Sequence, residues 1–379
     1  MIRLRRRRRP VDPRRRRRRR WIALVVILLL LIPVTSYVRA LTYPGNAPFS
    51  VRSVEWVRDH GGGGIVDTIE NWRYSRQAPP AVGLPQDPVR ESGGALAMPA
   101  ARRAGLPAVE LLPGVAPLAG EGHWTAERRN GRNVLWTTWF RPDPRHLPVI
   151  AAAALIPRTA DAIHLMPGTR EPIPGMSSPF GYSVPARALP YLVATFNSGF
   201  KMREAGGGWW TTWSHAVPLV DGRASIVIYA DGSARIGVWN HDVTMTPRVV
   251  AVRQNLDLVI ANGRIVDGLA TNFDGRFGSA RSQFQYTWRS GIGTDAHGNL
   301  VYVAGHGMTL ATFARAMHAA GIEQGMELDI HPSMVSFSIE RQGTDGGIIS
   351  RRLLDSMNTP ADRYLSADQR DFFYVTAKR

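Results

Sequence analysis

The sequence has 379 residues, a formal net charge of +17, 44% hydrophobic residues and no cysteine. The absence of thiols excludes disulfides, thiolate nucleophiles and Cys-based metal sites, so an exported chain of this kind is held by its core alone. The charge is local: residues 1–20 hold thirteen Arg and one Asp, or +12, which leaves an ordinary +5 for everything else.

The basic tail at 1–20 abuts an uncharged apolar run from Trp21 to Val38, close to the roughly 20 residues that span a bilayer. Positive flanks stay cytoplasmic. The arginines therefore read as the flank of a transmembrane anchor at 21–38, not as a nucleic-acid arm, and no nucleic-acid partner is expected. The remainder of the chain is expected outside, in a single-pass protein of the cell membrane. Val38-Arg39-Ala40 loosely matches a small-x-small cleavage site, but Arg39 and the length of the run favour a retained anchor. Lys occurs only at Lys201 and Lys378; with abundant Ala, Gly and Pro, this suggests a GC-rich bacterial genome.

Residues 39–120 are expected to form a stalk and strap. Val51, Val54, Glu55, Val57 and Arg58 permit a short helix that Gly61 to Gly64 would break, and a second could run from Ile65 to Tyr74. Residues 77–120 are rich in Pro, Gly and Ala with little periodicity. A globular domain is expected over 121–379. Val134 to Phe140 is strongly strand-like. In Val149 to Ile156 the four consecutive Ala leave helix and strand both open. Asp161 to Met166 and Leu192 to Phe196 read as strands, the latter ending at Asn197-Ser198-Gly199-Phe200-Lys201. The run Gly206-Gly207-Gly208 suggests a mobile flap, with Trp209, Trp210 and Trp213 behind it. No Lys-Ser/Thr follows, so it is not a phosphate-binding P-loop.

Three hairpins follow: 224–229 with 234–239, 256–261 with 264–267, and 290–294 with 300–304 around Asp295 and Gly298. One helix is well marked: Thr309 can cap it, Leu310, Phe313, Ala314 and Met317 keep its apolar face, and Gly321 ends it. Strands at 326–328, 335–339 and 372–376 complete an α+β domain, expected as a β-rich mixed sheet with few helices.

Four segments occur in order: Phe196-Asn197-Ser198-Gly199-Phe200, Arg289-Ser290-Gly291-Ile292-Gly293, Gly307-Met308-Thr309-Leu310 and Leu328-Asp329. Together they resemble the phosphodiester glycosidase family over roughly Trp136 to Thr376. Where that family has a Leu-Asp-Gly-Gly-Gly-Ser loop, this chain has Ile330-His331-Pro332-Ser333 after Asp329, and Lys201 replaces an aromatic of the first motif. Gly allows close backbone approach and positive φ, whereas Pro fixes φ and lacks an N–H. The resemblance implies cleavage of a sugar-1-phosphodiester on the sugar side, releasing the sugar and a phosphomonoester. The expected substrate is a glycan or sugar-phosphate linkage of the cell envelope, in wall polymer or exopolysaccharide. A non-catalytic glycan- or phosphoglycan-binding protein on the same fold is the alternative.

Such chemistry uses one or two carboxylates at the anomeric centre and cations at the phosphate. Asp329 and Glu327 are the carboxylate candidates, two apart on one strand and so expected on one face. His331 and His306 are candidate acids or bases. Arg289 is the first choice for the phosphate, with Asn197, Gly199, Lys201 and Ser333 as further substrate contacts. Asp274 and Asp295 read as turn residues. No cofactor is expected; a metal held by His306, His331 and Asp329 would lack a compact motif.

Overall fold

Period-two alternation governs most of the chain after residue 123. In the strand Leu300–Met308, Leu300, Tyr302 and Ala304 join one apolar cluster and Val301 and Val303 another, because successive side chains leave opposite faces. The computed structural model describes residues 13–85, 95–96, 105–272, 274–279 and 281–378. Its strands form three sheets in which every described strand pair is antiparallel.

The nine-stranded sheet runs in the order Ala95–Leu96, Trp124–Arg129, Arg132–Phe140, Ala151–Ile156, Leu300–Met308, Thr287–Thr294, Gln324–Ile330, Leu258–Ala261 and Arg264–Ile265. The alanine run is thus a central strand, buried on both faces. A five-stranded sheet runs Ala234–Val238, Ala224–Tyr229, Val249–Gln254, Trp209–Thr211, Ser214–Val217, and a second runs Ile348–Arg352, Phe337–Gln342, Leu192–Asn197, Phe372–Ala377, Asp161–Met166. The β-rich class with few helices is as the sequence indicates, while the described strand pairs are antiparallel where a mixed sheet is expected.

Each face of the large sheet has its own core. One carries the helix Leu310–Ala319, whose cap Thr309 accepts a hydrogen bond from Thr312 N at 3.3 Å. The helix lies so close that a Cβ on Gly291 would come within 2.9 Å of Met317 Sδ, and in the turn after the helix Ile322 Cγ2 would stand 2.2 Å from a Cβ on Gly293. Residues 105–123 pack here too: Leu106 and Val109 join this core, and Trp124 Nε1 donates to Pro107 O. The domain start expected at 121 falls inside this packed segment. The other face of the large sheet shares a core with both smaller sheets, where the rings of Phe196, Tyr302, Phe337 and Phe373 meet.

The chain divides into two units: residues 1–43 with 47–66, and residues 44–46 with 67–379. In the first, the helix Pro13–Thr42 is followed by the helix Phe49–Val57, and Tyr37 OH meets Ser53 Oγ at 2.8 Å while Trp56 Nε1 donates to Ser36 Oγ. Gly61, at φ +88°, breaks the chain before the helix Gly63–Ser75, as the glycine run predicts. The stretch Arg17–Thr42 is long and apolar enough to cross a membrane by length and composition, features that a signal sequence shares.

Candidate active site

All three sheets send a strand end to one cluster of buried charge. Gln324–Ile330 brings Asp329, Leu192–Asn197 leads into Ser198 and Gly199, Val249–Gln254 brings Arg253, and Arg370 and Asp371 precede Phe372–Ala377. Asp329 is 6% exposed. Its Oδ1 accepts from Ile330 N at 2.8 Å and its Oδ2 from Arg370 Nη2 at 2.9 Å. The same Arg370 nitrogen donates to Gly199 O at 2.9 Å. Arg253 donates through Nε to Asp371 Oδ2 at 2.8 Å and through Nη2 to Phe200 O.

The segment 199–202 is clamped from several sides. Asn255 Oδ1 accepts from Phe200 N at 2.9 Å while its Nδ2 donates to Glu327 O and Leu328 O. A Cβ on Gly199 would stand 2.5 Å from Asn255 Oδ1, so only glycine fits there. Glu171 Oε2 accepts from Met202 N at 3.1 Å, at the start of the short helix Met202–Ala205.

Burial pushes the Asp329 carboxyl up to about 7, against the pull of Arg370 and the Ile330 N–H. Burial also raises Glu171, with Arg370 and Arg253 pulling down and Asp371 pushing up. An acid poised near 7 can donate a proton at neutral pH. Ser198 Oγ and Asp371 Oδ1 are buried beside this cluster without a hydrogen-bond partner among the described residues.

Residues 214–329 match the family model described as phosphodiester glycosidase. Among solved structures, the zebrafish N-acetylglucosamine-1-phosphodiester alpha-N-acetylglucosaminidase catalytic domain, auto-inhibited by its pro-peptide, is 16% identical at a TM-score of 0.41, covering 67% of this chain and 87% of that one. A hypothetical protein from Synechocystis is 13% identical at a TM-score of 0.35, covering 61% and 59%. No curated protein matches the chain.

The phosphodiester glycosidase match ends on Asp329. Glu171, Asn197, Arg370 and the 330–333 loop lie outside it. Asn197 is buried, and its amide is fully engaged. Nδ2 donates to Ser198 O and Ser290 Oγ, and Oδ1 accepts from Tyr302 OH and Ser336 N. It organises the strand ends behind Gly199. Ser290 Oγ in turn donates to Asp329 O at 2.9 Å. Lys201, half-buried, occupies the position before the Met202–Ala205 helix. Ser333 is half-buried, and its carbonyl accepts from Arg363 Nη1.

The expectation that Glu327 and Asp329 share a face is corrected. Register slips between the pairs Arg289 with Ile330 and Gly291 with Glu327, a bulge that places an extra residue in the 324–330 strand. Glu327 therefore stays on the helix-bearing side with Arg289, at 2.6 Å, while Asp329 turns to Arg370. Arg289, the expected phosphate ligand, is 1% exposed and spends its donors on Glu327, Met308 O, Ser282 O and Gln285 O. The pair is a buried ion bridge of the scaffold.

The two histidines also stand elsewhere. His306 is exposed, with its ring 5.6 Å from that of Trp288. His331 stacks on Tyr74 at 4.9 Å, with Nδ1 3.3 Å from Thr287 Oγ1 and Nε2 3.6 Å from the Glu70 carboxylate. Among the described residues, no group of three or more His, Asp or Glu is arranged for a metal ion. The glycine run is packed: a Cβ on Gly207 would meet Gln254 Cβ at 2.5 Å and one on Gly208 would meet Pro218 O at 2.2 Å, which corrects the flap. Trp209 is a core residue, Trp210 stacks on His215, and Trp213 meets the rings of Trp209 and Phe180. Asp295 and Asp274 hold turns, as expected.

Sequence reading missed Glu171, Arg253, Asn255, Arg370 and Asp371. A weak signal existed for four of them: Arg253-Gln254-Asn255 interrupts apolar runs, and Asp368-Gln369-Arg370-Asp371 sits directly before an apolar strand. Glu171, in a Pro-flanked loop, carries none.

Proposed function

We propose that this chain is a membrane-anchored, extracytoplasmic hydrolase of sugar-1-phosphodiester linkages in cell-wall or exopolysaccharide glycans. The observation that carries the reading is the Asp329–Arg370 pair: a buried carboxyl poised at about 7 beside a guanidinium, at the end of the phosphodiester glycosidase match. Asp329 protonates the bridging oxygen as the C1–O bond opens. Arg370, with Lys201 nearby in sequence to Gly199, offers positive charge to the phosphate. The N-terminal apolar helix and its arginine flank support anchoring with the catalytic part outside.

The test is turnover by the full chain, in detergent, of a panel of glycosyl-1-phosphodiesters. Release of free sugar and a phosphomonoester is expected, with loss of at least about 100-fold in kcat for Asp329→Asn. A folded protein without turnover across the panel ends the hydrolase reading. One observation favours a glycan-binding protein instead: His331 and Pro332 replace glycines beside the site, and Pro332 has no N–H to offer a ligand. That reading expects glycan binding unchanged in Asp329→Asn and no product.

A further inference from the structure

We propose that Glu171 is the second carboxylate of this site, the general base that activates water while Asp329 acts as acid. The inference rests on the hydrolase reading above.

Three features of geometry place Glu171. Its loop is tied backbone to backbone to the segment that carries Arg370: Thr169 N donates to Asp368 O, and Arg170 N and Glu171 N both donate to Gln369 O. The approach is so close that a Cβ on Gly168 would stand 2.4 Å from Gln369 O, so this loop cannot drift from Arg370 without breaking that contact. Its Oε2 holds Met202 N, three residues from Gly199, whose carbonyl shares Arg370 Nη2 with Asp329. Arg370 and Glu171 therefore brace the two ends of segment 199–202, and Asp329 is hydrogen-bonded to the same Arg370 nitrogen that holds Gly199.

The two carboxyls differ as an acid and a base must. Asp329 is buried with both oxygens engaged, whereas Glu171 is half-buried and no described residue hydrogen-bonds its Oε1. The charged groups that act on Glu171 are Arg370, Asp371 and Arg253. The two arginines hold a carboxylate available, and Asp371 and burial keep it more basic than an exposed Glu. In the step, Glu171 takes a proton from water as the water oxygen bonds to C1. The C1–O bond breaks, its electron pair goes to the phosphate oxygen, and Asp329 supplies the proton there. Solvent then returns the proton to Asp329 and removes the one on Glu171.

The test uses the full chain and any glycosyl-1-phosphodiester that the wild type turns over, with kcat and KM measured across pH for wild type, Glu171→Gln and Glu171→Ala. Glu171→Gln, whose amide oxygen can still accept from Met202 N, is expected to lower kcat by about 100-fold or more, leave KM within about threefold, and abolish the acidic limb of the profile. Glu171→Ala is expected to regain activity by about tenfold in added formate, which restores a base but not a helix contact. Persistence of the wild-type acidic limb in Glu171→Gln, or no rescue by formate, overturns the base role and leaves the hydrolase reading intact. A wild type with no turnover on the whole panel overturns both.

Discussion

His331 holds a backbone conformation that its side chain disfavours. Its φ is +79°, in the left-handed region where the resembling family has glycine. The ring is used against Tyr74 and Thr287. Replacing His331 by Gly relaxes the backbone but loses the ring, whereas Ala loses the ring and keeps the strain. The Gly variant is therefore expected to be more stable than the Ala variant by about 1 kcal/mol, measured by thermal unfolding. Equal stability of the two would mean that the loop is not left-handed at 331. Asp161 offers a pH test. It is 2% exposed, neither carboxylate oxygen has a partner among the described residues, and burial pushes it up to about 8 against the pull of Lys378. The folded protein thus prefers the neutral acid. This preference contributes fully below the unfolded value near 3.8 and is lost as pH rises to about 8. Asp161→Asn should then gain on the wild type between those limits, by on the order of 6 kcal/mol. A stability difference that does not change with pH contradicts the buried, unpartnered carboxyl. Nothing in Asp161 to Met166 marks this, because an acid at a strand start reads as an exposed end.

At the scale of elements, alternation and turn chemistry carried most of what could be read. The helix at 310–319 announced itself through Thr309, its apolar spacing and Gly321, and the hairpin at Asp295 through its turn residues. What alternation cannot show is where it fails. The bulge near Asp329 leaves no mark in Met326-Glu327-Leu328-Asp329, yet it sends Glu327 and Asp329 to opposite faces. The four family segments likewise locate Asn197, Ser290 and Asp329 near one another, but give Arg289 a role that its neighbours deny. Arg289 ties the turn at 282–285 and Met308 to Glu327, all under cover. Arg289→Ala leaves the Glu327 charge buried and unpaired, and is expected to cost about 3–5 kcal/mol. Combining Arg289→Met with Glu327→Leu should recover most of that loss, because the double change removes both charges together. Denaturant unfolding of the three proteins decides this. An Arg289→Ala variant of normal stability that had lost only substrate affinity would return Arg289 to the phosphate.

At the scale of the molecule, the apolar stretch near the N-terminus follows from composition and the site does not. A candidate span is legible because a bilayer imposes length and apolarity on consecutive residues, whereas Arg253, Arg370 and Glu171 are brought together only by the folding of three sheets. The helix Arg17–Thr42 has 26 residues, about 39 Å at 1.5 Å each, against a hydrocarbon core of about 30 Å. Residues 14–20 are all Arg at one end of it, and such a flank resists translocation. The expected outcome in a bacterial host is a protein of full 41.9 kDa mass that stays in the membrane pellet after alkaline carbonate. Protease added outside the inner membrane should digest the part after Thr42. Neutralising Arg14 to Arg20, along with the arginines at 3–9, should randomise that orientation, because these thirteen arginines make residues 1–20 carry +12 of the net +17. Two results would count against the anchor. A mature chain beginning after Ala40 would make the helix a signal sequence that is removed, and recovery of the full-length chain in the carbonate supernatant would mean that the helix does not span. Either would leave the Asp329–Arg370 site untouched, because none of its residues comes from the first unit.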